Sequence, residues 1–153
     1  MGGGCGTVSE VIPIVVVEGA VFEDGVSEGD PEAIAPIAAE LIAARMQSRR
    51  IRELVGHILA DTSAGDSTKL VRIRAGLQSL PDKPDREILD AIRRPLRGLR
   101  PGMQNLAQFH ASLGLREPKR RALAAVDDFD RSSRSGTAAK SLGEWWAEWS
   151  RSM

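Results

Sequence analysis

Apolar residues recur at helical spacing along most of this chain, from residue 30 to its end. Positions i, i+3, i+4 and i+7 share one face of a helix, so each such stripe predicts an amphipathic helix. The stripes predict helices over 31–48, 51–59, 68–77, 87–99, 103–113 and 118–129, and a short last helix after residue 141. The first two fit either one long helix or two helices with a break near 47–50. Short connections between so many helices predict a mainly α fold, a compact multi-helix bundle or orthogonal array.

Local signals place several helix ends. Ser67 is the expected cap of the third helix, and Ser141 with Glu144 has the spacing of a capping box. Pro95 is expected to kink or shorten the fourth helix, because proline cannot donate a backbone hydrogen bond. Gly114 is expected to end the helix that begins at residue 103.

The front of the chain has a different pattern. It starts with a glycine-rich stretch, and a segment rich in Val and Ile then favours strand, since β-branched side chains fit a pleated surface. Glu18-Gly19 predicts a turn that pairs 14–17 with 20–23 as a hairpin. A lone hairpin is marginal in water, so it must pack on the helices or pair with a second chain, giving a homo-oligomer. We therefore divide the chain into a flexible, acidic N-terminal segment with a strand or hairpin, residues 1–29, and a helical domain, residues 30–153.

Composition supports a folded protein of ordinary domain size. The chain has 153 residues, of which 42% are apolar and 27% are charged, close to the average of globular proteins. Only 4% are aromatic, so Leu, Ile, Val and Ala must build most of the core. The single cysteine, Cys5, excludes an intrachain disulfide framework and a cysteine-based zinc site.

Nothing in the sequence predicts a membrane segment. The longest apolar run, 11–17, is much shorter than the roughly 18 residues of a spanning helix, and no basic residue precedes it as in a signal peptide. We therefore expect a cytoplasmic protein. Gly2 and Cys5 raise the question of acylation, but Gly6 stands where the myristoylation motif prefers Ser or Thr, which favours an unmodified terminus.

Catalytic and cofactor signatures are missing from the sequence. No lysine follows the glycine-rich start as a phosphate-binding loop requires, and His57 and His110 are far apart without further ligands at metal-binding spacing. We therefore expect a non-enzymatic protein with no cofactor and no metal.

Charge is distributed unevenly although the net charge is zero. Residues 1–40 hold eight acids and no Lys or Arg, so the remainder carries all 21 basic residues against 13 acids. Such asymmetry is typical of an acidic tail beside a body that binds a polyanion or an acidic partner, and solvated helix faces are the alternative interpretation.

The densest basic stretch runs from residue 93 to residue 121 and contains one acid, Glu117. Its cations are Arg93, Arg94, Arg97, Arg100, Arg116, Lys119, Arg120 and Arg121. Arginine forks match the geometry of phosphate, and binding through them would be salt-sensitive and weakly dependent on sequence. Within this stretch, 106–123 is similar to a helix-turn-helix with its turn at 113–115, although Arg120 stands where that motif buries an apolar residue.

Three tryptophans lie close together near the end of the chain: Trp145, Trp146 and Trp149. Their spacing fits a helix that staples itself onto the body of the protein. Alternatively, they form an exposed anchor for a protein partner, because tryptophan is enriched in binding hot spots.

Two hypotheses of function follow. In the first, the protein is a small nucleic-acid-binding accessory or regulatory protein that contacts DNA or RNA phosphates through the basic helices. In the second, it is a protein–protein interaction module, an adaptor or an inhibitor, that uses the tryptophan helix and the N-terminal strand, for instance by adding 11–17 to a partner sheet.

Overall fold

The computed structural model describes residues 17–22, 27–137 and 140–152. Along these residues the elements are β1 (Gly19–Val21), β2 (Ser27–Gly29), α1 (Pro31–Leu59), α2 (Asp66–Ser79), α3 (Arg86–Ile92), α4 (Pro101–Arg134) and α5 (Leu142–Trp149), followed by a 3₁₀ turn over Ser150–Ser152. The predicted fold class, mainly helical with a short β element near the N-terminus, is confirmed. In the described part of the chain, no helix is long and apolar enough to cross a bilayer.

The two long helices, α1 and α4, form the most extensive contact between described elements. Early residues of one pair with early residues of the other: Arg100 binds Glu32, and further along His110 Nδ1 lies 2.8 Å from Glu40 Oε2. The helices therefore run parallel. A parallel neighbour needs a long return connection, and α2 and α3 provide it.

Small residues allow the backbones of α1 and α4 to approach closely. Ala39 and Ala43 of α1 are fully buried, as are Ala107 and Ala111 of α4. At Gly114 the contact is with backbone, because a Cβ built there would lie 2.1 Å from the carbonyl oxygen of Glu40. No residue with a side chain fits at this point without displacing one of the helices.

This contact corrects the predicted break at Gly114. The glycine lies inside one continuous helix from residue 101 to 134, and so does Pro118, which is buried although we expected it to begin a new helix. Residues 106–123 therefore do not form the helix-turn-helix that their sequence suggested, because no turn separates two helices there. Glycine is a common helix terminator, but here its missing side chain serves a close approach between two helices.

Other helix boundaries also differ from the sequence pattern. Residues 31–59 form one helix without a break, which decides between the two alternatives. The third predicted helix is α2, which starts at Asp66 after an N-cap at Gly65, so Ser67 lies inside it and does not cap it. The fourth predicted helix is α3, which ends at Ile92. Turns follow to residue 98, as expected from the missing N–H of Pro95.

The predicted hairpin has the wrong pairing. Gly19 lies in strand β1 opposite Gly29, and Ala20 pairs with Glu28. Gly19 also packs closely on α1, because a Cβ there would lie 2.8 Å from Ile34 Cγ1. The glycine-rich start, Cys5, residues 11–16 and residue 23 lie outside the described residues, and so does most of the strand proposed to bind a partner.

Two apolar clusters fill the interior. One lies between the first halves of α1 and α4 and includes Ile88 and Ile92 of α3. The other lies between their second halves, α2 and α5. Trp146 of α5 is only 7% exposed in this second cluster. The capping box at the start of α5 is confirmed, with the Ser141 hydroxyl accepting from Glu144 N and the Glu144 carboxylate accepting from Ser141 N.

The close contact at Gly114 gives a stability prediction. Gly114→Ala should lower the free energy of unfolding by about 1–3 kcal/mol, since its methyl group overpacks the interface between α1 and α4. Gly56→Ala is the matched control, because this helical glycine has no neighbour within 4 Å of an added Cβ. The control should raise stability by about 0.5–1 kcal/mol through helix propensity. Urea denaturation measures both changes, and an equally stable Gly114→Ala protein would contradict the close approach.

The loop after α1 gives a prediction on pH. Asp61 accepts hydrogen bonds from the backbone N–H and the hydroxyl of Ser63 and from Arg72 Nη1 at 2.6 Å. The Ser63 hydroxyl, followed by Arg72, lowers the pKa of Asp61 from 3.8 to about 2. A carboxylate with a depressed pKa stabilises the fold above its unfolded pKa and loses that contribution as the pH falls.

Asp61→Asn should therefore lower the melting temperature at pH 6 and change it little at pH 2. The difference in melting temperature between wild type and variant should shrink between pH 4 and pH 2. A constant difference across this range would show that ionised Asp61 does not stabilise the loop.

Candidate nucleic-acid interface

One side of α4 borders an open groove that extends along α3 and the connection between α2 and α3. It consists of three neighbouring depressions, and adjacent ones share lining residues. Leu89 and Gln108 line both the first and the second, and Arg116 lines both the second and the third. We call this continuous surface the α3–α4 groove.

A polar stripe of α4 forms one wall of the groove. Residues four positions apart are neighbours on a helix surface, each turned by about 40° from the one before. This stripe therefore winds obliquely along α4, and it consists of Gln104, Gln108, Ser112, Arg116 and Arg120. At a rise of 1.5 Å per residue the stripe is roughly 24 Å long. An extended chain, rather than a compact small molecule, matches that length.

Basic residues lie at both ends of the groove, with apolar side chains between them. Arg93 and Arg97 lie at the α3 end, and Lys83 lies with Arg116 towards the other end. In the middle, Leu89 is 37% exposed and Phe109 is 56% exposed. The groove therefore combines cations with uncovered apolar surface.

The lining is strongly cationic. Six lining residues are Lys or Arg and one is acidic, Asp82. Concave surfaces of one sign concentrate the electrostatic field, so this lining favours a polyanion over a neutral or basic ligand. The overall net charge of zero conceals this local excess.

Two of the groove arginines are paired with exposed carboxylates. Arg93 Nη2 lies 2.8 Å from Asp90, and Arg120 Nη2 lies 2.7 Å from Glu117. The Arg120 hydrogen bond lowers the pKa of Glu117 below its ordinary value. Exposed pairs of this kind contribute only about 0–1 kcal/mol, so a phosphate can exchange with the carboxylate.

The structure brings five of the eight predicted cations to the groove: Arg93, Arg97, Arg116, Lys119 and Arg120. Arg94 and Arg121 are exposed outside its lining. Arg93, Arg97 and Arg100 share no helix face, because α3 ends at Ile92 and turns follow to residue 98. Arg100 is the N-cap residue of α4, and its guanidinium binds the Glu32 carboxylate of α1.

Lys119 has a structural position within the groove. Its side chain is 11% exposed, and its ammonium group donates to the carbonyl oxygens of Gln78 and Leu80 and to Asp82 at 3.0, 2.7 and 3.0 Å. These bonds use all three N–H donors of a lysine. The geometry therefore assigns Lys119 to anchoring the connection after α2, and we remove it from the expected phosphate contacts.

The three tryptophans are part of the body of the protein. Trp146 is buried, and Trp145 and Trp149 are half-buried against the same cluster. The centroid of the Trp145 ring lies 4.9 Å from that of Phe129 and 6.3 Å from that of Trp149. The Trp145 and Trp149 rings are stacked. This arrangement favours the staple over the exposed anchor.

Sequence reasoning missed three features of the groove: Lys83, Leu89 and Phe109. Leu89 fits the apolar stripe of the helix predicted over 87–99, and Lys83 and Phe109 were assigned no position from the sequence. The spacing of the polar stripe of α4 is visible in the sequence. However, the predicted break at Gly114 placed Gln104, Gln108 and Ser112 on one helix and Arg120 on another, so the stripe was not recognised. Among the described residues, no cluster of three or more His, Cys, Asp or Glu side chains is suited to hold a metal ion.

Comparison with known proteins gives no relative for this chain. No protein-family model, no curated protein and no solved structure matches it.

The position of Lys119 gives a prediction that separates structure from binding. Lys119→Met should lower the free energy of unfolding by about 1–3 kcal/mol, because two backbone carbonyls and Asp82 would be left without their donor. Lys83→Met is the control on the same connection, and at this exposed position the change should stay within about 0.5 kcal/mol. Urea denaturation of both variants tests the assignment, which is wrong if the two curves coincide.

Proposed function

We propose that this protein is a non-enzymatic nucleic-acid-binding protein that holds a phosphate backbone in the α3–α4 groove. The observation that carries the proposal is the composition of the groove lining, which apart from the Lys119–Asp82 pair has five basic residues and no acid in a chain of zero net charge. The proposed phosphate contacts are Lys83, Arg93, Arg97, Arg116 and Arg120.

Guanidinium chemistry supports phosphate as the ligand. Arginine presents a planar fork of donors that binds two phosphate oxygens at once and remains charged at any physiological pH. Arg97 and Arg116 are exposed and have no ion pair with any carboxylate in the described part of the chain. These two residues are therefore the strongest candidates for direct contact.

The alternative hypothesis, a protein-interaction module built on the tryptophan helix, receives less support. The tryptophans pack on the second apolar cluster, so their rings already contribute to stability. A partner that used all three would have to compete with that packing. The groove needs no such rearrangement to accept a ligand.

Salt-dependent binding tests the proposal. Fluorescence anisotropy with labelled 20-nucleotide DNA, RNA and duplex DNA at 50 and 200 mM salt should show binding that weakens steeply with salt. The double variant Arg97→Glu/Arg116→Glu should bind at least about tenfold more weakly, and its salt dependence should be shallower by about one unit for each phosphate that the variant no longer binds.

The control is Arg52→Glu/Arg151→Glu, which makes the same change in net charge at two exposed residues outside the groove lining. It should retain most of the affinity. The proposal fails if the wild-type protein binds none of the nucleic acids at 50 mM salt, or if both double variants weaken binding to the same extent.

A further inference from the structure

We propose that the ligand of the α3–α4 groove is a single strand, DNA or RNA, and that one of its unstacked bases packs on the ring of Phe109. This inference rests on the proposed function, because it assumes that the flanking cations hold phosphates. It adds which form of nucleic acid binds, and it names the residue that distinguishes a single strand from a duplex.

Phe109 is the most exposed aromatic residue in the described part of the chain, at 56% against 47% for Phe22. Phe129 is 8% exposed and packs with the tryptophans of α5, whereas Phe109 leaves more than half of its surface in contact with water. An exposed ring beside a row of cations provides no core stability. It is, however, the surface on which nucleic-acid bases stack in single-strand-binding proteins.

Neighbouring residues restrict the orientation of this ring. The Phe109 and His110 rings lie perpendicular, with centroids 5.9 Å apart, and His110 is in turn held by the Glu40 carboxylate at 2.8 Å. Leu89 lines the same depression and adds apolar surface next to the ring. The base site is therefore partly preorganised by contacts that do not need the ligand.

Cations and polar groups lie at the right places on either side. Arg116 is seven residues beyond Phe109 on α4, about 10 Å along the helix axis, and Arg97 lies towards the opposite end of the groove. Gln108, adjacent in sequence, lines the groove and carries an amide that can donate to and accept from a base edge. A strand lying along α4 would thus place phosphates at the ends and a base in the middle.

The shape of the surface disfavours a duplex. A duplex buries the faces of its bases in stacking, so it offers Phe109 only charged backbone and groove edges. A helix that enters the major groove must protrude, because it has to fit into a channel about 12 Å wide. Here α3 and the connection before it flank the basic side of α4, which makes that side concave.

Binding of labelled 12-nucleotide thymidine strands and of a 12-base-pair duplex tests the inference by fluorescence anisotropy at 50 mM salt. The single strand should bind more tightly than the duplex. Phe109→Ala should weaken single-strand binding about five- to a hundredfold, the range that one base stack provides. Phe109→Trp should keep the affinity, since it retains an aromatic face.

Leu106→Ala is the matched control, because Leu106 is 41% exposed on the preceding turn of the same helix and does not line the groove. It should change the affinity less than twofold. Phe109→Ala should also leave the salt dependence unchanged, as no cation is removed, and should leave duplex binding unchanged. Thermal melting checks that both variants fold as the wild type does.

The possible results separate the inference from the proposed function. Equal effects of Phe109→Ala and Leu106→Ala, or a duplex that binds as tightly as the strand, overturn the stacking site but leave a phosphate-binding groove. Displacement of the strand by polyglutamate of equal charge at equal concentration also overturns it, because charge alone would then explain binding. If no nucleic acid binds, the proposed function fails and the inference fails with it.

Discussion

The close approach of two parallel helices at Gly114 is the constraint on which the rest of the structure depends. A side chain at this position would collide with the backbone of α1, so the distance between α1 and α4 is set by the glycine and by the alanines on either side. The first halves of the two helices touch mainly through these small residues, and α3 adds Ile88 and Ile92 to the cluster there. In the second halves, larger side chains of both helices, such as Ile51 and Val126, pack with α2 and α5.

Polar side chains fix the connection that crosses between these clusters. The Lys119 ammonium holds the end of α2, and the Gln47 amide donates to the carbonyl oxygen of Pro81 at 3.1 Å. Arg50 binds both Asp85 and Glu87 at the start of α3. These groups come from α1 and α4, so the helix pair positions the segment that forms the opposite wall of the groove.

The sequence was sufficient for features that depend on local chemistry. Helical spacing located the helical regions, and Ser141 with Glu144 located the start of α5. The sequence was not sufficient where the local pattern of a residue fits two different structural positions. Gly114 has the local properties of a helix end, and only its contact with α1 shows that it belongs inside a helix. Phe109 has the spacing of a core residue, and only the positions of its neighbours show that it faces the groove. Arg97 and Arg116 could be selected by charge, but Arg100 and Lys119 could not be excluded without their partners.

The pairing of groove arginines with carboxylates has a consequence for selectivity. Asp90 and Glu117 neutralise part of the cationic field when no ligand is present, so attraction at long range is weaker than the number of arginines suggests. At contact distance a phosphate can replace each carboxylate as the hydrogen-bond partner, since exposed pairs contribute little. The exchange returns each acid to water at the edge of the site, where it repels a second phosphate nearby. Under our proposal, a ligand that offers a base to Phe109 as well as its charges would offset this cost better than a ligand that offers charges alone. The apolar centre of the groove, more than the total number of cations, should therefore decide which polyanion is retained.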